Sequence, residues 1–185
     1  MHLTLSDLIS DIVQNSIEAN SSKITLELEE NQAGVKVLIR DNGKGMTKET
    51  LEKAQNSFFT DGTKHPKRNF GLGLPLLIQT VKETEGDYQI TSELGKGTSV
   101  YAFFNLANKN AFQVGEVANL FRQVLSFTGN FDMTIIRKKH TENEQLNYKL
   151  EKSEIVKALG CLENAKNLEL LGQFLTSQEK ESSIQ

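Results

Sequence analysis

Apolar residues recur at intervals of three and four positions near the start of the chain, which is the period of an amphipathic α-helix. They are Leu5, Leu8, Ile9, Ile12 and Val13. Polar residues line the opposite side of the same helix at Asp7, Asp11, Asn15 and Glu18. This helix contains no lysine or arginine, so its carboxylates repel one another unless a cation lies over them. The pattern predicts either a solvated face or a cation-binding face.

Strict alternation of apolar and polar residues follows the helix. Residues 24–28 and 35–39 both alternate in this way, which is typical of half-buried strands. Because a short turn joins them, we predict that the two strands are antiparallel. The second strand leads directly into a loop that begins at Asp41 and contains two glycines, Gly43 and Gly45.

The loop at residues 41–45 ends a buried strand and precedes a helix, for which Thr47 is a suitable N-cap. The carboxylate of Asp41 at this position can accept a hydrogen bond from a ligand amino group, and the glycines allow a flat ligand to approach the backbone. The alternative is an Asx-turn, in which the Asp41 side chain bonds only its own loop.

A basic loop, a second glycine-rich loop and a helix come next. Residues 58–69 are rich in turn formers and basic side chains, and the glycine-rich stretch at residues 71–74 leads into a helix over 75–83. Strands are predicted at 88–93 and 99–106. Four mainly antiparallel strands with three helices on one face predict a two-layer α+β sandwich.

The character of the chain changes after residue 106. We predict a main domain at 1–106, an appended helix–strand–strand segment at 107–152 and a helical tail at 153–185, packed on the open face of the sheet. Residues from Glu179 onward are polar, and we expect them to fray.

Composition excludes several classes of protein. The 185 residues are 37% hydrophobic and 24% charged, as in a globular chain. A net charge of −3 gives no electrostatic reason to expect nucleic-acid or membrane binding, and no apolar run reaches the length of a membrane span. Cys161 is the single cysteine; we expect it to be buried, in a cytoplasmic protein.

Four motifs occur in a fixed order: Asp-Ile-Val-Gln-Asn-Ser-Ile-Glu-Ala at 11–19, Asp-Asn-Gly-Lys-Gly at 41–45, Gly-Leu-Gly-Leu at 71–74 and Gly-Thr at 97–98. Together they resemble the N, G1, G2 and G3 boxes of the GHKL superfamily of gyrase-type ATPases, heat-shock chaperones, histidine kinases and MutL proteins. The histidine-kinase branch is the most similar. The resemblance covers residues 1–106 and implies a Bergerat-type fold that binds ATP and Mg²⁺.

The resemblance also implies roles for individual residues. Asp41 would accept the adenine amino group, and the amide oxygen of Asn15 would bind magnesium. The rest of the implied nucleotide-binding set is Gly43, Gly45, Met46, Gly71, Leu72, Gly73, Leu74 and Thr98. Three basic residues of the loop, Lys64, Lys67 and Arg68, would lie in the ATP lid, where each either contacts a phosphate or remains solvated.

Position 11 departs from the family pattern. Members that hydrolyse ATP usually have glutamate there as the general base, and this chain has Asp11, which is one methylene shorter. A base must lie within about 3 Å of the proton it removes, so the shorter side chain puts water activation in doubt. Asp11 is therefore a candidate base, with a magnesium-shell or helix-capping role as the alternative.

Three functional hypotheses follow. The histidines, His2, His65 and His140, do not fit the dimerisation helices that carry the substrate histidine of the kinase branch. We therefore expect a stand-alone ATPase or protein kinase that acts on a separate protein, with the C-terminal segment binding this partner or forming a homodimer. The alternatives are an ATP-gated binding switch with negligible turnover and an anti-sigma-type serine kinase.

Overall fold

The computed structural model describes residues 4–56, 73–108, 114–142 and 144–180. The strands in these ranges are β1 (Lys23–Asn31), β2 (Gly34–Asp41), β3 (Asp87–Glu93), β4 (Gly97–Asn105), β5 (Asp132–His140) and β6 (Gln145–Glu151). The helices are α1 (Leu5–Glu18), α2 (Lys48–Gln55), α3 (Gly73–Glu83), α4 (Val117–Ser126), α5 (Lys152–Leu159) and α6 (Ala165–Lys180). The helices and strands predicted within these ranges are confirmed, although their ends differ by a few residues.

All six of these strands form one sheet in the order β3-β4-β2-β1-β5-β6. The pairs are antiparallel except for β1 and β5, which are parallel. Alternate residues of each central strand are buried against α1, α3 and α4 in a single hydrophobic core. The predicted α+β sandwich is therefore confirmed, with a mixed sheet.

Local signals fix the starts of two of the helices that border the site, α1 and α2. The side chain of Thr4 accepts a hydrogen bond from the backbone N–H of Asp7, whose carboxylate accepts one from the backbone of Thr4, and this capping box begins α1. The hydroxyl of Thr47 caps α2 in the same way by accepting from the backbone N–H of Thr50. Asp7 therefore caps the start of α1, and the other polar residues on its side of the helix lie closer to the C-terminal end.

The C-terminal segment extends the sheet, and the prediction that it packs on the open face is wrong. β5 pairs with β1 along its full length, from Lys23 opposite Asp132 to Asn31 opposite His140. Helices α4 and α6 contribute to the same core as α1. The open edge of β1 thus finds its hydrogen-bond partner in β5. The division of the chain at residue 106 stays a prediction.

Two further predictions about the C-terminal segment are wrong. Glu179 is not frayed, because its carboxylate accepts hydrogen bonds from Arg137, which is 1% exposed, and from the hydroxyl of Tyr148; residues 181–185 of the predicted frayed end lie outside the described residues. Burial raises the pKa of Tyr148, and the nearby Glu179 raises it further. Cys161 is exposed in the turn between α5 and α6. Among the described residues, no helix is both long and apolar enough to cross a membrane.

Candidate functional site

A cavity of about 970 Å³ lies between the polar side of α1, the loop after β2, the start of α3 and the end of the sheet. Eight residues predicted to form the site line it: Asp11, Asn15, Asp41, Gly45, Met46, Gly73, Leu74 and Thr98. Gly43 lies outside the lining. Gly71, Leu72, Lys64, Lys67 and Arg68 lie outside the described residues. The structure thus brings together residues from four separate parts of the sequence.

Asp41 is held at the end of β2 by three donors. Its Oδ2 accepts from the hydroxyl of Ser16 (2.9 Å), and its Oδ1 accepts from the hydroxyl of Ser21 (3.1 Å) and the backbone N–H of Gly43 (2.8 Å). The bond to Gly43 is the predicted Asx-turn. Because Asp41 also lines the cavity, the turn and a ligand contact are compatible.

The two glycines of the loop are required by the protein's own backbone. A Cβ at Gly43 would lie 2.5 Å from the Ser21 hydroxyl and 2.8 Å from the Cβ of Ala19. Gly45 has a φ of +61°, and a Cβ there would lie 2.0 Å from the carbonyl oxygen of Glu93. The loop is held against the end of α1 by a hydrogen bond from the Lys44 N–H to the Ala19 carbonyl (2.9 Å), and against the β3–β4 turn by one from the Gly95 N–H to the Lys44 carbonyl (2.7 Å). Close approach of a ligand at these glycines stays a prediction.

A hydroxyl network fixes the opposite wall of the cavity. The hydroxyl of Ser92 accepts from the backbone N–H of Met46 (2.9 Å) and lies 2.8 Å from the hydroxyl of Thr98 and 3.1 Å from the carbonyl oxygen of Gly97. A serine hydroxyl carries one proton, so it donates to either Gly97 or Thr98. Thr98 can therefore present a donor or an acceptor to the cavity.

The polar side of α1 faces the beginning of α3. A Cβ at Gly73 would lie 3.1 Å from the Cβ of Asp11 and 3.7 Å from Nδ2 of Asn15, so the two helices pack closely here and a larger residue would require a small shift. No described residue makes a hydrogen bond to the Asn15 side chain. Gly73 is the first described residue of α3, and the glycine-rich stretch that leads into this helix is the predicted anion site. The Asn15 side chain and the first described turn of α3 border the same part of the cavity.

Two effects raise the pKa of Asp11. The larger is partial burial, which disfavours the charged carboxylate, and the smaller is the negative charge of Asp7 one helical turn away. Both effects penalise the ionised form, so a cation placed beside Asp11 would be bound more favourably than beside an isolated carboxylate. This electrostatic arrangement agrees with the cation-binding alternative for the polar side of α1.

Sequence reasoning missed Ser16, Ser21, Ser92 and Lys44. Lys44 and Ser16 line the cavity, and each of the three serines also makes a hydrogen bond to another residue that lines it. Ser16 follows Ile12 by four residues and so lies on the buried side of α1, where a hydroxyl requires a partner. The position of Ser16 in the sequence therefore indicated that its hydroxyl would have a hydrogen-bond partner inside the protein. The partners of Ser21 and Ser92 depend on how distant segments meet.

Comparison with known proteins gives partial matches. A putative sensor protein of Shewanella frigidimarina is 34% identical over 57% of this chain and 16% of its own length. Sporulation kinase C of Bacillus subtilis is 31% identical, over 51% of this chain and 22% of its own. Sensor histidine kinase GraS of Staphylococcus aureus is 30% identical, over 61% of this chain and 33% of its own length. The chain thus spans at most a third of these relatives' lengths.

One solved structure, the Aquifex aeolicus MutL ATPase domain complexed with ADP, is 15% identical and aligns with 85% of this chain and 67% of its own at a TM-score of 0.48. Residues 2–108 match the family described as histidine kinase-, DNA gyrase B-, and HSP90-like ATPase. The matched range contains the whole cavity described above. This chain belongs to that ATPase family.

Proposed function

We propose that the chain binds Mg-ATP in the cavity beside α1 and uses it as an ATPase or protein kinase that acts on a separate protein. The observation that carries the proposal is the meeting of Asp41, Asn15, Asp11 and Gly73 around one cavity. Its volume of about 970 Å³ lies within the usual range for small-molecule sites. The relatives named as kinases support phosphoryl transfer as the reaction class.

The adenine end of the site would be Asp41. Its carboxylate can accept a hydrogen bond from an amino group, and Thr98 across the cavity can donate or accept. Met46 and Val100 add apolar surface to the same cavity, which suits the face of a base. This combination supports a purine that bears an amino group.

The phosphate end would be formed by the start of α3 and by Asn15. Mg²⁺ prefers hard oxygen ligands and usually keeps several waters while it bridges phosphates. The amide oxygen of Asn15 fits this chemistry, and the magnesium would neutralise charge on the phosphates. Asp11 lines the same cavity as Asn15, and a cation there would offset its negative charge. Backbone N–H groups at the start of α3 would suit the phosphate oxygens.

Calorimetry with Asn15→Ala tests the metal ligand. We expect ATP affinity in magnesium to fall about tenfold or more, as for loss of a ligand interaction of 1.5–3 kcal/mol, and affinity in EDTA to change little. Gln14→Ala, one residue earlier on the same helix and also at the cavity, is the matched control. An equal loss with and without magnesium would contradict the assignment of Asn15.

A second candidate is an ATP-gated binding switch, in which nucleotide occupancy changes affinity for a partner and turnover is negligible. The observation that favours it is Asp11, where the family's hydrolysing members usually have glutamate. Asp11→Glu restores the missing methylene, so it should raise the hydrolysis rate if reach alone is limiting. Vigorous hydrolysis by the wild-type protein, with no gain from Asp11→Glu, would exclude the switch.

A further inference from the structure

The two oxygens of Asp41 have different surroundings. Oδ1 accepts two hydrogen bonds, from Ser21 and from the backbone of Gly43, while Oδ2 accepts one, from Ser16. An ionised carboxylate offers about four acceptor positions. Donors among the described residues therefore fill three of them, and the fourth belongs to Oδ2. The carboxylate presents one acceptor position to a ligand in the cavity.

The serines that create this asymmetry are buried. Ser16 is 3% exposed and Ser21 is 4% exposed. If the carboxylate rotated, the buried hydroxyl of Ser21 would lose its acceptor, and an unsatisfied buried donor is costly. Gly43 contributes a backbone N–H, which cannot change from donor to acceptor. These three contacts hold the carboxylate in a single orientation.

We propose that Ser16 and Ser21 are positioning residues that make the site select purine nucleotides with a 6-amino group over those with a 6-oxo group. The inference rests on the proposed function, since it assumes that a purine nucleotide occupies the cavity. The free position on Oδ2 accepts an amino N–H. A 6-oxo group in the same place would bring two acceptors together, and neither would have a proton to share.

Ser16 can also change its role. Its hydroxyl lies 2.9 Å from Oδ2 of Asp41 and 3.2 Å from the carbonyl oxygen of Ile12. In the wild-type protein its one proton goes to the nearer and ionised acceptor, Asp41, and the Ile12 carbonyl is the alternative. In Asp41→Asn, the N–H of Gly43 keeps the amide oxygen at the Oδ1 position, so the amide nitrogen takes the Oδ2 position. Ser16 then donates to Ile12 and accepts from this nitrogen. The second amide N–H faces the ligand, and the site now offers a donor.

The test compares ATP with inosine triphosphate, which bears a 6-oxo group, by calorimetry in magnesium. We expect the wild-type protein to prefer ATP by about tenfold to a hundredfold, the range for a hydrogen bond to a charged group. Ser16→Ala should reduce this preference about threefold to tenfold. Asp41→Asn should reverse it. Ser10→Ala is the matched control, because Ser10 is a buried serine of the same helix with no hydrogen-bond partner among the described residues.

The ratio of the two affinities separates positioning from general structural damage. If Ser16→Ala weakens ATP and inosine triphosphate equally, the inference is overturned while the proposed function stands. The inference is also overturned if Asp41→Asn, with a native circular dichroism spectrum, still prefers ATP. Failure of the wild-type protein to bind ATP would overturn the proposed function itself. If Ser16→Ala does not fold, Ser21→Ala replaces it with the same expected direction.

Discussion

The contacts of Glu179 predict that the end of α6 is a stabilising part of the fold. The carboxylate is 18% exposed and lies 3.3 Å from Nε of Arg137, which also pairs with Glu30 at 2.7 Å. The hydroxyl of Tyr148 donates to the same carboxylate at 2.5 Å. Glu179→Ala therefore leaves a buried guanidinium with one of its two acidic partners and leaves the half-buried phenol of Tyr148 without its acceptor.

The magnitude follows from these contacts. Removal of one member of a buried ion pair costs about 3–5 kcal/mol, and because Glu30 still compensates Arg137, we expect a loss of about 3 kcal/mol. In a protein of this size, that corresponds to a decrease in Tm of roughly 6–12 °C. Tyr148→Phe removes only one hydrogen bond to Glu179, so it should cost about 1 kcal/mol.

Urea denaturation followed by circular dichroism measures these losses. Glu169→Ala is the matched control, because Glu169 is an exposed residue of the same helix, and it should change stability by less than about 0.5 kcal/mol. In the double variant, the effects of Glu179→Ala and Tyr148→Phe should be less than additive, since both remove the same contact. Equal stability of Glu179→Ala and Glu169→Ala would refute the reasoning.

Three further predictions concern the site and the helix that supports it. Ser10→Ala should raise the free energy of unfolding by about 1 kcal/mol, because Ser10 is 6% exposed and its hydroxyl has no partner among the described residues; a loss measured in urea would reveal a missed partner. Gly45→Ala should cost more than about 2 kcal/mol, since its positive φ is strained and its Cβ would collide with Glu93. Gly95 also has a positive φ, but no atom lies within 4 Å of an added Cβ, so Gly95→Ala measures the cost of backbone strain alone. If Gly45→Ala and Gly95→Ala lose equal stability, the collision with Glu93 contributes nothing and this explanation is wrong. Asp11→Asn should stabilise the protein at neutral pH: the folded state raises the pKa of Asp11, so wild-type stability falls as pH rises from the unfolded to the folded pKa. The advantage should disappear below both pKa values, and a stability difference independent of pH would contradict this account.

Local patterns were sufficient to predict the elements that carry the site. The helical period of α1, the alternation of β1 and β2, and the cap at Thr47 depend on residues close in sequence. The cavity itself follows from the sheet order, because β2 lies between β1 and β4 and brings Asp41 opposite Ile24 and Thr98. The order of the four motifs along the chain also predicts that they meet at one site.

Long-range pairing explains most of what could not be predicted. The pairing of β5 with β1 joins segments about a hundred residues apart, and alternation alone does not specify a strand's neighbour. A signal for the Arg137 cluster was nevertheless present. Arg137 follows Met133 and Ile135 in the same strand phase, so it had to point into the core and needed an acidic partner.

Residue type misled the prediction for Cys161. Free cysteine is among the most buried residues, but Cys161 lies in a turn directly after Gly160, whose φ is +88°. Burial there is set by the position in the turn between two helices rather than by side-chain hydrophobicity. The role of Asp11 is open for a different reason, because reach towards a water depends on where the nucleotide lies.

A crystal structure with magnesium and a non-hydrolysable ATP analogue tests the central claim most directly. The account predicts that the adenine amino group lies within hydrogen-bond distance of Oδ2 of Asp41 and that the metal binds the amide oxygen of Asn15. It also predicts that the phosphates lie near the start of α3, at Gly73. A nucleotide bound outside this cavity, or one that contacts neither Asp41 nor Asn15, would contradict it.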